Sequence, residues 1–236
     1  MTDSSSTEKR APERAARRGR PPRISRERIA RGALELGVDR VTVTSLAAHL
    51  GVDHSSLYRH VKSHSEIIAL ASDLAIDELD WRAAEGASWR EELIALTDGV
   101  WALYERHPGL AEAFRSVEFA PQAGIRSFAE AVARLRNHGF SLEESMLAVD
   151  TLVDMAGDCF LGWRAMARPD REGRAHTASI IETWKEAAKN HTEDAAAIQG
   201  MVAVIEGGAR PWWERKRDLV LAGLAAMRSS NSDDPY

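Results

Sequence analysis

Apolar residues recur every three or four positions along most of the chain, which is the spacing of helices that bury one face. The sequence has no sustained alternation of apolar and polar residues, the pattern that would indicate strands. Three segments open with a Ser-x-x-Glu capping box, at Ser63, Ser88 and Ser141. The pattern therefore predicts an all-α fold, in which the helices after residue 62 cover approximately residues 63–82, 88–106, 109–117, 122–138, 141–167, 172–189, 193–206 and 211–228.

The segment before residue 62 has the pattern of three short helices packed together. A helix beginning at Ser25 carries an apolar face until Gly37, whose backbone freedom favours a helix end. Thr42 is placed to cap a second helix over residues 42–50, and a tight glycine-containing turn leads to a third over residues 54–61. Two short helices joined by such a turn and packed on a longer one predict a helix-turn-helix.

Residues 42–64 read Thr-Val-Thr-Ser-Leu-Ala-Ala-His-Leu-Gly-Val-Asp-His-Ser-Ser-Leu-Tyr-Arg-His-Val-Lys-Ser-His, and they resemble the DNA-binding signature of the TetR family of transcriptional regulators. The resemblance implies an N-terminal three-helix DNA-binding domain followed by a larger helical domain for ligand binding and dimerisation. The domains expected from it are a flexible basic arm over 1–24, the helix-turn-helix over 25–70 and the ligand and dimer domain over 71–236. Such a protein binds a palindromic DNA operator as a homodimer and is released by a small-molecule effector.

A recognition helix directs the side chains of its first turn to base edges and uses neighbouring groups to grip phosphates. Arg59, one turn further along, suits either a guanine edge or a phosphate. Tyr58 resembles the family's phosphate-contacting tyrosine, with a buried core tyrosine as the alternative. The predicted DNA-binding set in this region is Thr42, Thr44, His54, Ser55, Ser56, Tyr58, Arg59, His60 and Lys62. Thr44 replaces an arginine of the family pattern and His64 replaces a frequent lysine, so we expect a weaker phosphate grip at both positions.

Charge is unevenly distributed along the chain. Residues 1–64 hold 13 Lys and Arg against 7 Asp and Glu, a net charge of +6, whereas residues 65–236 carry a net charge of -11. A basic front end on an acidic body fits nucleic-acid binding at one end, although a solvated basic tail is the alternative. The arm adds Arg18, Arg20 and Arg23 to the predicted DNA contacts, because an extended Arg-rich strand fits the minor groove; non-specific phosphate binding is equally compatible with it.

The remaining predicted contacts lie in the helical body. In the family the helices corresponding to Ser141–Met166 and Pro211–Arg228 form the dimer interface, and packing within the chain is the alternative. A small-molecule pocket is expected between these helices and the DNA-binding head. Its candidate residues are Trp101, Tyr104, His107, Phe114, Phe128, His138, Asp158 and Trp163. Aromatic residues at helical spacing are also common in ordinary cores, so we expect only a minority of them to touch a ligand.

Three carboxylates, Asp150, Asp154 and Asp158, recur every four residues along an otherwise apolar helix. An unpaired carboxylate is costly to bury. They are therefore expected, in this order, to face solvent, to pair with arginines across the dimer, or to anchor a cationic ligand.

Several classes of protein are disfavoured by the composition. The chain of 236 residues and 26.0 kDa has one cysteine, Cys159, which excludes an internal disulfide, and its apolar runs are too short to span a bilayer. Without a signal segment it is expected in the cytoplasm, nucleoid-associated when bound to DNA. His60 and His64 are separated by a helix break, so a metal site is disfavoured, and no cofactor or catalytic motif is indicated.

The leading hypothesis is a ligand-responsive repressor rather than an enzyme; the alternative is an architectural or constitutive DNA-binding protein without an effector.

Overall fold

The computed structural model describes residues 24–116, 120–169, 173, 176–191 and 193–232. The predicted arm contacts Arg18, Arg20 and Arg23 lie outside these residues. The described residues form eleven helices: α1 (Arg26–Leu36), α2 (Val43–Leu50), α3 (His54–Leu57), α4 (His64–Asp77), α5 (Trp89–Arg106), α6 (Gly109–Arg115), α7 (Gln122–Asn137), α8 (Leu142–Ala167), α9 (His176–Asn190), α10 (Ala195–Gly207) and α11 (Ala209–Ser232). The prediction of an all-α fold is confirmed.

Local capping sets where several of these helices begin. The hydroxyl of Ser25 accepts from the backbone N–H of Arg28, and Ser88 and Ser141 each form a complete capping box with the glutamate three residues later. Thr42 caps α2 as predicted, through a reciprocal pair of hydrogen bonds with Ser45. Ser63 caps α4 without completing the box, because its partner glutamate bonds elsewhere.

Two predicted helices are shorter in the structure. The helix predicted over residues 54–61 is regular only through Leu57 and continues as a turn, in which the backbone N–H of His60 bonds to the Leu57 carbonyl at 2.8 Å. The helix predicted to end near residue 82 ends at Asp77, because the chain then leaves the helix to bury Trp81 against α5. Gly99 permits this approach, since a Cβ there would lie 2.7 Å from the Cβ of Trp81. The predicted domain boundary at residue 70 lies inside α4.

Two apolar cores are stacked along the molecule. The first joins α1 to α4 around Ile29, Leu46, Leu57 and Ile67, and it extends into α5 and α6 through residues such as Leu110. The second joins α5, α7, α8 and α11; at its centre the fully buried rings of Trp101 and Trp213 stack with centroids 5.9 Å apart and an interplanar angle of 8°. α9 and α10 pack on each other beside these helices. Because the first core continues into α5 and α6, the head and the body share apolar contacts.

Candidate nucleic-acid interface and internal cavity

The turn and short helix at the front of the molecule present polar side chains to solvent. His54, Ser55 and Arg59 are exposed, and Tyr58 keeps 55% of its surface accessible. Leu57 and Val61 are buried beneath them and fix the segment to the core. Tyr58 is therefore a surface residue, not the core tyrosine of the alternative interpretation. This side-chain set is available to base edges and phosphates, as a recognition segment requires.

A hydrogen-bonded brace holds the end of this segment against α1 and α4. The guanidinium of Arg26 donates to the carbonyl of His60 at 2.8 Å and to the carboxylate of Glu66 at 2.6 Å. The other carboxylate oxygen of Glu66 accepts the backbone N–H of Lys62 at 2.6 Å. The bond from Lys62, reinforced by Arg26, lowers the pKa of Glu66. The brace leaves the Lys62 side chain exposed at the start of α4, where it can reach a phosphate.

Two other residues that the sequence analysis singled out, His64 and Thr42, form hydrogen-bond contacts within the protein. Nε2 of His64 lies 2.8 Å from the Val41 carbonyl, which ties this exposed residue to the turn before α2. The hydroxyl of Thr42 serves in the α2 cap, whereas Thr44 is exposed on the first turn of that helix. Ser56 and His60 are half-buried behind the exposed set. The weaker phosphate grip expected at His64 stays a prediction.

We call α1 to α4 the head and the later helices the body; a cavity of about 320 Å³ lies in the body, next to the head. Its volume is near the lower end of the range for small-molecule pockets, and its wall is mostly apolar. The lining comes from α4 to α8 and the segments that join them, and includes Ile76, Leu79, Trp81, Leu96, Val100, Leu103, Tyr104, Phe114, Arg115, Ser127, Phe128, Val149, Val153, Asp154, Asp158 and Leu161. The arrangement can enclose an apolar molecule and offers it a few polar groups on one side.

Half of the candidate ligand residues line this cavity and half do not. Tyr104, Phe114, Phe128 and Asp158 are part of the wall. The remaining four candidates, Trp101, His107, His138 and Trp163, lie outside the wall of this cavity.

The position of each of these four residues outside the cavity wall has a structural reason. Trp101 is in the second core, where its indole N–H donates to Glu105 at 2.7 Å and its ring stacks on α11. His107 and His138 are the C-cap residues that follow α5 and α7, and neither lines the cavity. Trp163 faces a separate groove between α8, α9, α10 and α11.

The candidate ligand set omitted the cavity residues Trp81 and Arg115, and Asp154 was named only as one of three carboxylates that could anchor a cationic ligand. Trp81 follows a helix end, and Arg115 is a solvent-accessible charge, so neither had a distinguishing signal. The fourfold spacing of Asp150, Asp154 and Asp158 was a usable signal. The structure separates the three carboxylates: Asp154 and Asp158 line the cavity, and Asp158 pairs with Arg115.

Tyr104 supplies a deeply placed polar atom. Only 5% of the residue is exposed, and its hydroxyl approaches α8 at Gly157, where a Cβ would lie 3.6 Å from the oxygen. Burial, followed by the negative charge of Asp154, raises the pKa of Tyr104 to about 12. The group therefore remains a neutral hydroxyl across the physiological pH range.

α6 connects the cavity with the helix-turn-helix head. At one end Phe114 and Arg115 line the cavity. At the other end Gly109 rests on the turn between α1 and α2, since a Cβ at Gly109 would lie only 2.4 Å from the backbone nitrogen of Asp39. Movement of this one short helix would therefore change both the cavity wall and the turn between α1 and α2.

An ion-pair network ties α8 to the same turn. The guanidinium of Arg164 contacts the carboxylate of Asp39 at 2.7 Å and that of Glu112, on α6, at 3.2 Å. Arg164 and Glu112 are partly shielded from solvent, so their attraction is less screened than that of a fully exposed pair. The network fixes the position of the head relative to the body.

α11 presents an apolar stripe to solvent. Leu219 is 75% exposed and Met227 is also exposed, with Ala222 and Gly223 between them at helical spacing. On α8, Met146 and Leu147 are exposed apolar residues. A contiguous apolar stripe flanked by small residues is typical of a helix that packs closely on a partner.

Within the described part of the chain, no group of three or more His, Cys, Asp or Glu side chains could hold a metal ion. The helices described there include none whose length and apolar character would suffice to cross a membrane. Cys159 is buried, and burial raises the pKa of its thiol.

Comparison with known proteins identifies related chains. No protein-family model matches the sequence. Tetracycline repressor protein class C of Escherichia coli is 28% identical over 228 aligned residues, which cover 89% of this chain and 95% of that protein. An HTH-type transcriptional regulator of Saccharopolyspora erythraea is 26% identical and covers 87% of this chain and 86% of its own length.

Solved structures share the fold. The TetR family protein ActR of Streptomyces coelicolor, in complex with actinorhodin, superposes with a TM-score of 0.71 at 20% identity, covering 88% of this chain and 97% of ActR. The similarity includes the head and the body together. With its helix-turn-helix and its all-α body, this chain has the fold of TetR family structures and is similar over nearly its full length to tetracycline repressors.

Proposed function

We propose that the protein is a homodimeric repressor that binds a palindromic operator and releases it when a small molecule occupies the body cavity. The observation that carries this proposal is the double contact of α6, which lines the cavity at one end and supports the α1–α2 turn at the other. Relatives support it: tetracycline repressors are similar in sequence, and ActR is similar in structure and was solved with actinorhodin.

The mechanism follows from differential affinity of the ligand for two conformations. A ligand that packs against Phe114 and Arg115 favours positions of α6 that leave room for it. Because Gly109 packs directly against the backbone of Asp39, a shift of α6 moves the turn between α1 and α2. Recognition segments of two protomers must be spaced to match successive turns of DNA, so a small displacement weakens operator binding. The coupling free energy equals the difference in ligand affinity between the two conformations.

Footprinting of the purified protein on its own upstream DNA tests this function. We expect a protected palindrome that persists when salt is raised, and weaker protection when residues 1–22 are removed. Uniform weak protection that disappears with salt would favour the architectural alternative, because non-specific binding is almost entirely electrostatic.

We predict that Arg59→Ala lowers operator affinity by about five- to a hundredfold, the range for one bidentate base contact. Arg59 is exposed next to the recognition turn, so the substitution removes a contact without disturbing the core. Fluorescence anisotropy with labelled operator measures the change. Arg126→Ala, an exposed arginine on α7, is the matched control and should bind normally.

The way in which Arg59→Ala loses affinity for different DNA sequences distinguishes a base contact from a phosphate contact. A base contact predicts relaxed preference at one operator position, whereas a phosphate contact predicts equal loss on all sequences and a salt slope reduced by about 1. Unchanged affinity would remove Arg59 from the interface.

We propose that the α11 stripe, with the neighbouring part of α8, forms the dimer interface. Leu219→Glu is then expected to weaken the dimer at least about tenfold, because a charge placed in a desolvated interface has no partner. Sedimentation over a range of protein concentrations measures the dissociation constant. Ile125→Glu, an exposed apolar position on α7, is the control and should leave the assembly unchanged. An unchanged dimer in Leu219→Glu would place the interface elsewhere.

A further inference from the structure

We propose that the body cavity selects a ligand with an apolar ring system and a cationic amine, and that Asp154 is the residue that selects the positive charge. This inference deepens the proposed function, because it assumes that the cavity is the effector site. It rests on the distribution of charge and of apolar surface around the cavity wall.

The apolar part of the wall suits a flat ring system. Trp81, Phe114 and Phe128 contribute aromatic surface from three different parts of the chain, and Leu96 and Leu103 fill the wall between them. Aromatic faces attract cations as well as other rings, because their quadrupole is negative above the ring. A cationic amine attached to a ring system therefore meets a compatible surface throughout the cavity.

The charged part of the wall is unbalanced. Arg115, Asp154 and Asp158 are the charged residues that line the cavity within the described residues. Arg115 forms an ion pair with Asp158, so their charges largely cancel. Among the described residues Asp154 has no ion-pair partner, so its carboxylate remains available to a ligand cation and would repel a ligand anion.

Tyr104 places a second acceptor near Asp154. Tyr104 and Asp154 both line the cavity, and burial, followed by the negative charge of Asp154, raises the pKa of the Tyr104 hydroxyl. The hydroxyl reaches α8 beside Gly157, one turn beyond Asp154, where no side chain obstructs it. An alkylammonium group carries up to three N–H donors and can be shared between the carboxylate of Asp154 and the Tyr104 oxygen, which accepts. A carboxylate ligand would find one donor there and one repelling charge.

Three probes with one ring system test the proposal: aminomethylanthracene, hydroxymethylanthracene and anthracenecarboxylate, which are cationic, neutral and anionic at neutral pH. Titration of the full-length protein, followed by calorimetry or by quenching of tryptophan fluorescence, gives three dissociation constants. We expect the cation to bind at least about fivefold more tightly than the neutral probe, the size of a partly screened charge interaction, and the anion to bind most weakly.

The isosteric variant Asp154→Asn should remove this preference while leaving the affinity for the neutral probe within about twofold. Asp150→Asn, on an exposed position of the same helix outside the cavity wall, is the matched control and should keep the preference. Both positions are exposed, and circular dichroism verifies folding.

Any one of four results would overturn the proposal. The three probes could bind with equal affinity, the anion could bind most tightly, the preference for the cation could survive in Asp154→Asn, or no probe could bind. The operator footprint without probe is an independent measurement. A protected palindrome together with absent charge preference would overturn the ligand class and leave the repressor function intact, whereas absence of operator protection would contradict the repressor itself.

Discussion

Trp213→Ala is expected to lower the free energy of unfolding by about 3–5 kcal/mol, the usual cost of removing a large buried aromatic side chain. Trp213 is fully buried and stacks on Trp101 at the centre of the core that joins α5, α8 and α11. Its indole nitrogen is buried without a hydrogen-bond partner among the described residues, so the loss comes from packing and apolar burial. Since a whole domain is stable by only about 5–15 kcal/mol, the variant should unfold at a much lower urea concentration.

Urea unfolding at one fixed protein concentration measures this difference, because dimerisation makes stability depend on concentration. Trp184→Ala is the matched control: that ring is 36% exposed on α9 and its removal should cost less than about 1 kcal/mol. Similar losses in the two variants would contradict the central role assigned to the Trp101–Trp213 stack.

Gly109→Ala is expected to weaken operator binding at least about tenfold while the protein remains folded. A Cβ at this position would lie 2.4 Å from the backbone nitrogen of Asp39 and 2.8 Å from its Cβ, distances that real Cβ atoms do not occupy. Backbone cannot yield as a flexible side chain can, so α6 or the α1–α2 turn must move. Overpacking of this kind typically costs about 1–3 kcal/mol. The displacement would change the orientation of the recognition segment, as we propose the effector does.

Gly124→Ala provides the control for this experiment. The nearest atoms to a Cβ at Gly124, which also lines the cavity, are 3.7 Å away, an ordinary contact. Anisotropy titrations should therefore show normal operator affinity for Gly124→Ala and reduced affinity for Gly109→Ala. If Gly109→Ala binds operator normally and is equally stable, α6 does not transmit the position of the body to the head.

Secondary structure was predictable from the sequence because its determinants are local. The capping boxes at Ser88 and Ser141 satisfy the free N–H groups of α5 and α8 through residues only three positions apart. The exposed side of the predicted recognition segment was predictable for the same reason, since Leu57 and Val61 mark its buried side and leave Tyr58 and Arg59 outside. Helix lengths were less predictable where a tertiary contact ends the helix, as burial of Trp81 does after α4.

The composition of the cavity was not predictable to the same degree. Trp101 and Tyr104 are three positions apart on α5, and both were candidate ligand contacts. In the structure Trp101 packs against α11, and Tyr104 lines the cavity beside α8. Periodicity shows that a helix has a buried face, but it does not show which neighbour covers each part of that face.

By itself, the sequence determined the all-α class, the places where most helices begin, the helix-turn-helix and the exposed side of its third helix. Each of these depends on hydrogen bonds and apolar spacing within a few residues of the chain. Tertiary structure decided which side chains enclose the cavity, why Asp154 remains available while Asp158 pairs with Arg115, and how Gly109 brings α6 onto Asp39. These features depend on how helices distant in the sequence pack against one another, which local spacing does not specify.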